Sequence, residues 1–244
     1  FLEYDLAKIV STLSHPTQKR LGLISSMDIG PGFDPATQSA REAWVIHEQF
    51  SQLFDLEDVS ADAAELSDNL DLLVMIHPKA LSEEMLYQVD QFVLRGGRLL
   101  AFMDPMAEAD LGGDPNDPMA RMNAGGSSTL GPLLDAWGVG FDTTKVIGDN
   151  DYALQVNLAQ GQPPVRHLGI LSVKNAGMND SDVSTSGLQS VNFSSTGWLS
   201  VLENAATTFE PMVTSSQNAA PIDAARLRFL SNPQDLNDGF QPTG

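Results

Sequence analysis

Six polar residues stand where short apolar runs end: Ser25, Ser26 and Asp28 at and after the end of RLGLIS, His77 and Lys79 after LLVMI, and Asp104 after RLLAFM. If those runs are strands of one parallel sheet, their carboxyl ends share a rim, which is where α/β folds place a ligand crevice. The set combines hydroxyls, an imidazole, an ammonium and carboxylates. That chemistry suits either a hydrolase or a binding site for a polar small molecule or carbohydrate. A plainer account competes with both. Strand ends are polar because the chain emerges into water there, and Asp-Pro after a strand is an ordinary turn.

Other chemistries are poorly served. In α/β hydrolases the nucleophile sits on a G-x-S-x-G elbow between strand and helix, and no such pentapeptide occurs. Ser127 and Ser128 follow Gly125-Gly126, without an apolar strand ahead of them. There is no cysteine, which removes thiolate nucleophiles, disulfides and zinc–thiolate sites. His15, His47, His77 and His167 are isolated in sequence, with no H-x-x-x-H pair, so no metal site is expected. His47 reads as a helix-surface or partly buried histidine and His167 as a strand histidine. The loop DPNDP (114–118) groups oxygens but lacks the glycine and terminal glutamate of a calcium hand. Gly30-Pro31-Gly32 and Arg95-Gly96-Gly97-Arg98 match no phosphate-binding pattern. No cofactor is expected.

The elements that would position the rim are legible in the first half. The segment from Asp71 to Pro105 reads strand, turn, helix, glycine pair, strand. Two apolar runs joined by an amphipathic helix should lie parallel in one sheet. Leu72–Ile76, apolar throughout, suits a strand buried on both faces. Ser82 caps the next helix, Glu83 and Glu84 suit its positive end, and Met85, Leu86, Val89, Phe92 and Val93 form its inner stripe. Gly96 supplies the left-handed stop. Upstream, residues 1–13 have helical spacing ended by His15-Pro16. Arg20–Ser25 is a strand and Asp55–Val59 a short edge strand. Between them Ser39 and Glu42 have capping-box spacing, opening a helix with Ala43, Ile46, Phe50 and Leu53 on one face. The order matches a flavodoxin-like half-sheet with right-handed crossovers.

After Asp104 the character changes. Residues 107–128 form a long loop. Leu130–Trp137 reads as a short helix, and 138–147 as a turn into a strand. Short apolar runs at 152–158, 166–173, 190–193 and 209–213 are expected strands, while 215–218 and the tail beyond Asn232 are expected to include disordered loops. The expected division is an α/β sheet domain over 1–148 and a β-rich, loop-rich extension over 149–244.

Composition narrows the partners. A chain of 244 residues is long enough for a sizeable core. Its net charge of −19 repels nucleic acid and anionic membrane surfaces. No run approaches the roughly 20 apolar residues that span a bilayer. The opening at Phe1 and the loop-like end lead us to expect a soluble piece of a longer protein, with membrane segments outside it.

Several phrases in order carry a resemblance: Tyr4-Asp5-Leu6, Trp44-Val45-Ile46, His77-Pro78-Lys79 with Leu81-Ser82, Arg95-Gly96-Gly97 and Asp104-Pro105. The first half resembles the auxiliary domain of bacterial ABC-type transport systems, in the GldG-like gliding-motility auxiliary family. The second half is placed by position alone. The resemblance implies an extracytoplasmic, periplasmic-side domain tethered through other segments, with an ABC permease and ATPase as partners and a second copy as a possible one. It also implies a core similar to class I glutamine-amidotransferase folds. Active relatives of that fold use a cysteine this chain lacks, so the expectation is a non-enzymatic binding or scaffolding domain.

Overall fold

Leu73, Val74 and Met75 are each 0% exposed, because a parallel strand covered on both faces has no wet side. They lie in β5 (Leu72–Ile76), which is central in a four-stranded parallel sheet with β1 (Arg20–Ser25), β4 (Asp55–Asp58) and β6 (Arg98–Phe102). The order is β4-β1-β5-β6, and every neighbouring pair is parallel. The computed structural model describes residues 2–14, 17–34, 38–110, 126–157, 163–203 and 205–244. The chain divides into two units, Phe1–Met103 and Asp104–Gly244.

In the first unit, α1 (Leu2–Ser14) precedes β1, α2 (Val45–Leu53) lies between β1 and β4, and α3 (Glu83–Leu94) joins β5 to β6. One core gathers Leu21, Leu23, Ile29 and Val74, with Phe50 of α2 packed against them. α3 buries Met85, Val89 and Phe92. Its start is the expected one: Ser82 Oγ accepts the Met85 N–H at 3.0 Å. Its end is too: the Gly96 N–H reaches Val93 O at 2.9 Å with φ +90°, a conformation glycine adopts without steric cost. Leu2, Leu6, Ile9, Val10 and Leu13 of α1 are exposed, Leu13 at 77%.

The expected capping box at Ser39 does not form. Ser39–Arg41 is a strand, β3, paired antiparallel with β2 (Gly32–Asp34). Pairing across the hairpin overrides the local cap signal. α2 instead begins after Trp44, which has no side-chain cap, and the Trp44 N–H is held by Ile29 O at 2.8 Å. Ala43 therefore precedes the helix.

The second unit is β-rich. It contains α4 (Pro132–Ala136), β7 (Val139–Phe141), β8 (Lys145–Asp149), β9 (Ala153–Val156), β10 (Val165–Lys174), β11 (Ser190–Ser194), β12 (Leu199–Val201), β13 (Ala219–Asp223) and α5 (Ala224–Arg228). β10 is central between β9 and β11, both antiparallel to it. β8 pairs with β13 and β7 with β12. Val146, Leu168, Ile222, Ala224, Leu227 and Leu236 form its core.

Three expectations are corrected here. Residues 209–213 make no strand, only an isolated bridge between Met178 and Val213. The stretch 215–218 is tied down, since the Ser216 N–H and Oγ both donate to the Asp149 carboxylate at 2.7 Å. The tail is packed as well: Leu236 is 0% exposed and the Thr243 N–H donates to Ala219 O at 2.8 Å. Apolar anchoring of one residue, with backbone pairing beyond it, suffices to order a segment whose composition is loop-like. The calcium-like loop 114–118 and His15 lie outside the described residues.

Candidate functional site

The parallel sheet brings the ends of β1 and β5 side by side, with Ser25 opposite Ile76 in register. Ser25 closes a turn on itself: its Oγ donates to Met27 O at 2.8 Å and accepts the Met27 N–H at 3.1 Å. The Ser26 N–H donates to Ile76 O at 3.3 Å, and Ser26 Oγ accepts the Lys79 N–H at 2.9 Å. Both hydroxyls therefore satisfy backbone groups that emerge from the sheet.

His77 is buried, at 1% exposure. Its N–H continues the ladder to Phe102 O at 2.8 Å. Its φ of +51°, with Ala80 at +52°, turns the chain sharply into the Ser82 cap. A left-handed conformation in a non-glycine residue is strained and persists only where packing holds it. Lys79 is half-buried. Asp28 points outward with an 84% exposed carboxylate, ion-paired to Arg41 at 2.8 Å. Asp104 opens the second unit, where its N–H donates to Ser128 Oγ at 3.0 Å and its carbonyl accepts the Ser128 N–H at 2.8 Å.

The first unit thus gathers Ser25, Ser26, His77 and Lys79 at one strand-end clasp, with Asp28 in the Arg41 ion pair beside it. Chemically the clasp fixes two loops. Ser25 Oγ and Ser26 Oγ both bond backbone groups, and the histidine has almost no accessible surface. An open cleft of about 490 Å³ lies at the amino-terminal end of the sheet, among Lys19, Asp71, Phe92, Arg95 and Arg98. Among the described residues there is no cluster of three metal-ligating side chains, and no helix is long and apolar enough to cross a membrane.

Two constellations of the second unit were not foreseen. Asp149, 0% exposed, accepts from the N–H groups of Asp151 (2.8 Å), Tyr152 (3.2 Å) and Ser216, and from Ser216 Oγ. A carboxylate with four donors is stable in the interior because its lost hydration is replaced. Glu108 Oε1 accepts from Ser194 Oγ and Ser195 Oγ, both at 2.7 Å. Ser195 is buried with φ +50°. Nearby, His167 Nδ1 accepts the Gly169 N–H at 3.2 Å. That bond leaves the proton of the neutral ring on Nε2. Burial pulls the His167 pKa below its ordinary value, against smaller opposing effects from a backbone hydrogen bond and from the Glu108 charge. Sequence spacing offered no signal for either constellation, since Glu108 and Ser195 are 87 positions apart.

Residues 18–244 match the family whose model is described as an ABC-type uncharacterized transport system. No curated protein and no solved structure matches the chain significantly.

Proposed function

The chain belongs to that family of auxiliary domains of ABC-type transport systems, and from this premise we propose that it is a non-enzymatic binding or scaffolding domain. Its partners on this reading are the permease and ATPase subunits of the same system. It works at the periplasmic or extracytoplasmic face of the inner membrane, attached through segments outside residues 1–244. The first-half phrases favour the gliding-motility subgroup. With the hairpin strands set aside, the sheet order of second, first, third and fourth strand agrees with a flavodoxin-like core.

The observation that carries the reading is the extent of the family match, through both units. The state of the strand-end groups supports it. A nucleophile needs a base within hydrogen-bond reach, whereas Ser25 and Ser26 bond backbone atoms. The test is a Ser26→Ala/Lys79→Ala double variant. Retention of the permease and ATPase during purification is the expected result. Their loss, or loss of a measured turnover of any substrate, contradicts the proposal.

A further inference from the structure

We propose that the excursion from β1 to α2 carries the docking surface of the first unit, and that it takes a protein segment combining apolar side chains with Lys or Arg. This rests on the docking role just proposed and gives it a place and a chemistry. Trp44, Val45 and Ile46 are consecutive and exposed at 43%, 72% and 40%. Phe33, 62% exposed, stands on the hairpin whose second strand ends at Arg41, three residues earlier. α3 buries its inner stripe of Met85, Val89 and Phe92, and its exposed Tyr87 and Leu94 are seven residues apart rather than consecutive.

The segment is anchored at two points. The Trp44 N–H is bonded to the carbonyl of Ile29, which is 2% exposed, and Arg41 is ion-paired to Asp28. A rigid apolar surface loses little freedom on binding, and tryptophan is the residue type that most often anchors an interface.

The flanking charge gives the partner its sign. Glu42 and Glu48 are exposed on either side of the three apolar residues. The Asp28 and Asp58 carboxylates are 84% and 71% exposed. The Arg41 guanidinium is paired to Asp28, and the His47 imidazole faces Asp58 at 3.6 Å. An apolar centre within a charged rim is the ordinary anatomy of an interface. An acidic rim on a chain of net charge −19 favours a basic counterpart and disfavours an anionic lipid surface.

The probe is a short amphipathic Leu/Lys helix peptide, with a Leu/Glu peptide of the same apolar pattern beside it, titrated into the full chain at moderate salt. The Leu/Lys peptide should bind and the Leu/Glu peptide should not. Val45→Glu should weaken binding by about tenfold although it adds negative charge. Val45→Ser should weaken it similarly, which separates loss of the apolar contact from misfolding. Val183→Glu, at a 93% exposed position of the second unit, should leave binding unchanged. Unchanged or tighter binding by Val45→Glu would overturn the inference, as would an equal loss in Val183→Glu or binding of the Leu/Glu peptide. Capture of phosphatidylcholine vesicles that Val45→Glu abolishes would overturn it in favour of lipid. In the intact system, a Val45→Glu protein that still retains the permease overturns this surface alone, whereas a wild-type protein without permease overturns the docking role.

Discussion

Ser26 Oγ accepts the Lys79 N–H at 2.9 Å, fastening the loop after β1 to the loop after β5. The strand-end rim, polar enough to suggest a reactive site, is tied together there by one of its own side chains. The hydroxyl that would attack a substrate is an acceptor for backbone, and the imidazole that would activate it is interior.

Ser26→Ala removes that acceptor from an exposed position. The expected cost is about 1 kcal/mol, the net worth of one such bond. Chemical denaturation followed through Trp44, the tryptophan of the first unit, measures it. No measurable change would mean that water substitutes for the hydroxyl.

Asp149→Ala strands the Asp151, Tyr152 and Ser216 N–H groups that now share one buried carboxylate. Unsatisfied interior donors are costly, and the expected loss is roughly 2–4 kcal/mol. Trp137 and Trp198 report on the second unit. An unfolding midpoint in denaturant equal to wild type would remove Asp149 as an anchor.

Gly97→Ala should destabilise by roughly 1–3 kcal/mol through overpacking. A Cβ there would lie 2.5 Å from the Phe92 ring and 2.6 Å from its carbonyl. Gly96→Ala meets nothing within 4 Å, and its cost comes from φ +90° alone. Phe92→Leu removes the ring contact and leaves the carbonyl contact, so measured against Phe92→Leu alone it should reduce the Gly97→Ala loss in part and leave the Gly96→Ala loss unchanged. Thermal midpoints of the wild type, the three single variants and the two double variants decide this.

His167 sets a pH dependence. Its folded-state pKa lies below the ordinary 6.5 because burial disfavours the imidazolium. The unfolded chain therefore binds the proton more readily, so this contribution to stability is present above about pH 6.5 and is lost on acidification below it. His167→Gln should show a smaller drop in thermal midpoint between pH 7.5 and 5.5 than wild type. An equal drop would assign the dependence to other groups.

The parallel half of the fold was legible because its signals are local and repeated. The apolar run Leu72–Ile76, the Ser82 cap and the Gly96 stop agree with one another and with their surroundings. Ser39 shows the limit. Its cap spacing was genuine, and pairing with Asp34 across the hairpin overrode it. In the second unit β12 has three residues and β13 contains Pro221, which suits an edge strand. A three-residue strand carries no periodicity to read, and a proline within a run argues against a strand. The site residues were legible as positions: the β1 and β5 ends do adjoin. Their burial and bonding depend on contacts such as Ser26 to Lys79, 53 residues apart, and a sequence does not display those. The Glu108–Ser195 and Asp149–Ser216 bonds were hidden for the same reason.

The most direct test of the account is purification of the full-length protein from its own membranes in mild detergent, with the bound proteins identified. The account predicts a multi-span permease and its ATPase in fixed proportion, surviving Ser26→Ala and Lys79→Ala. A protein that leaves the membrane alone, or that turns over a substrate through the groups at the β1 and β5 ends, would contradict it.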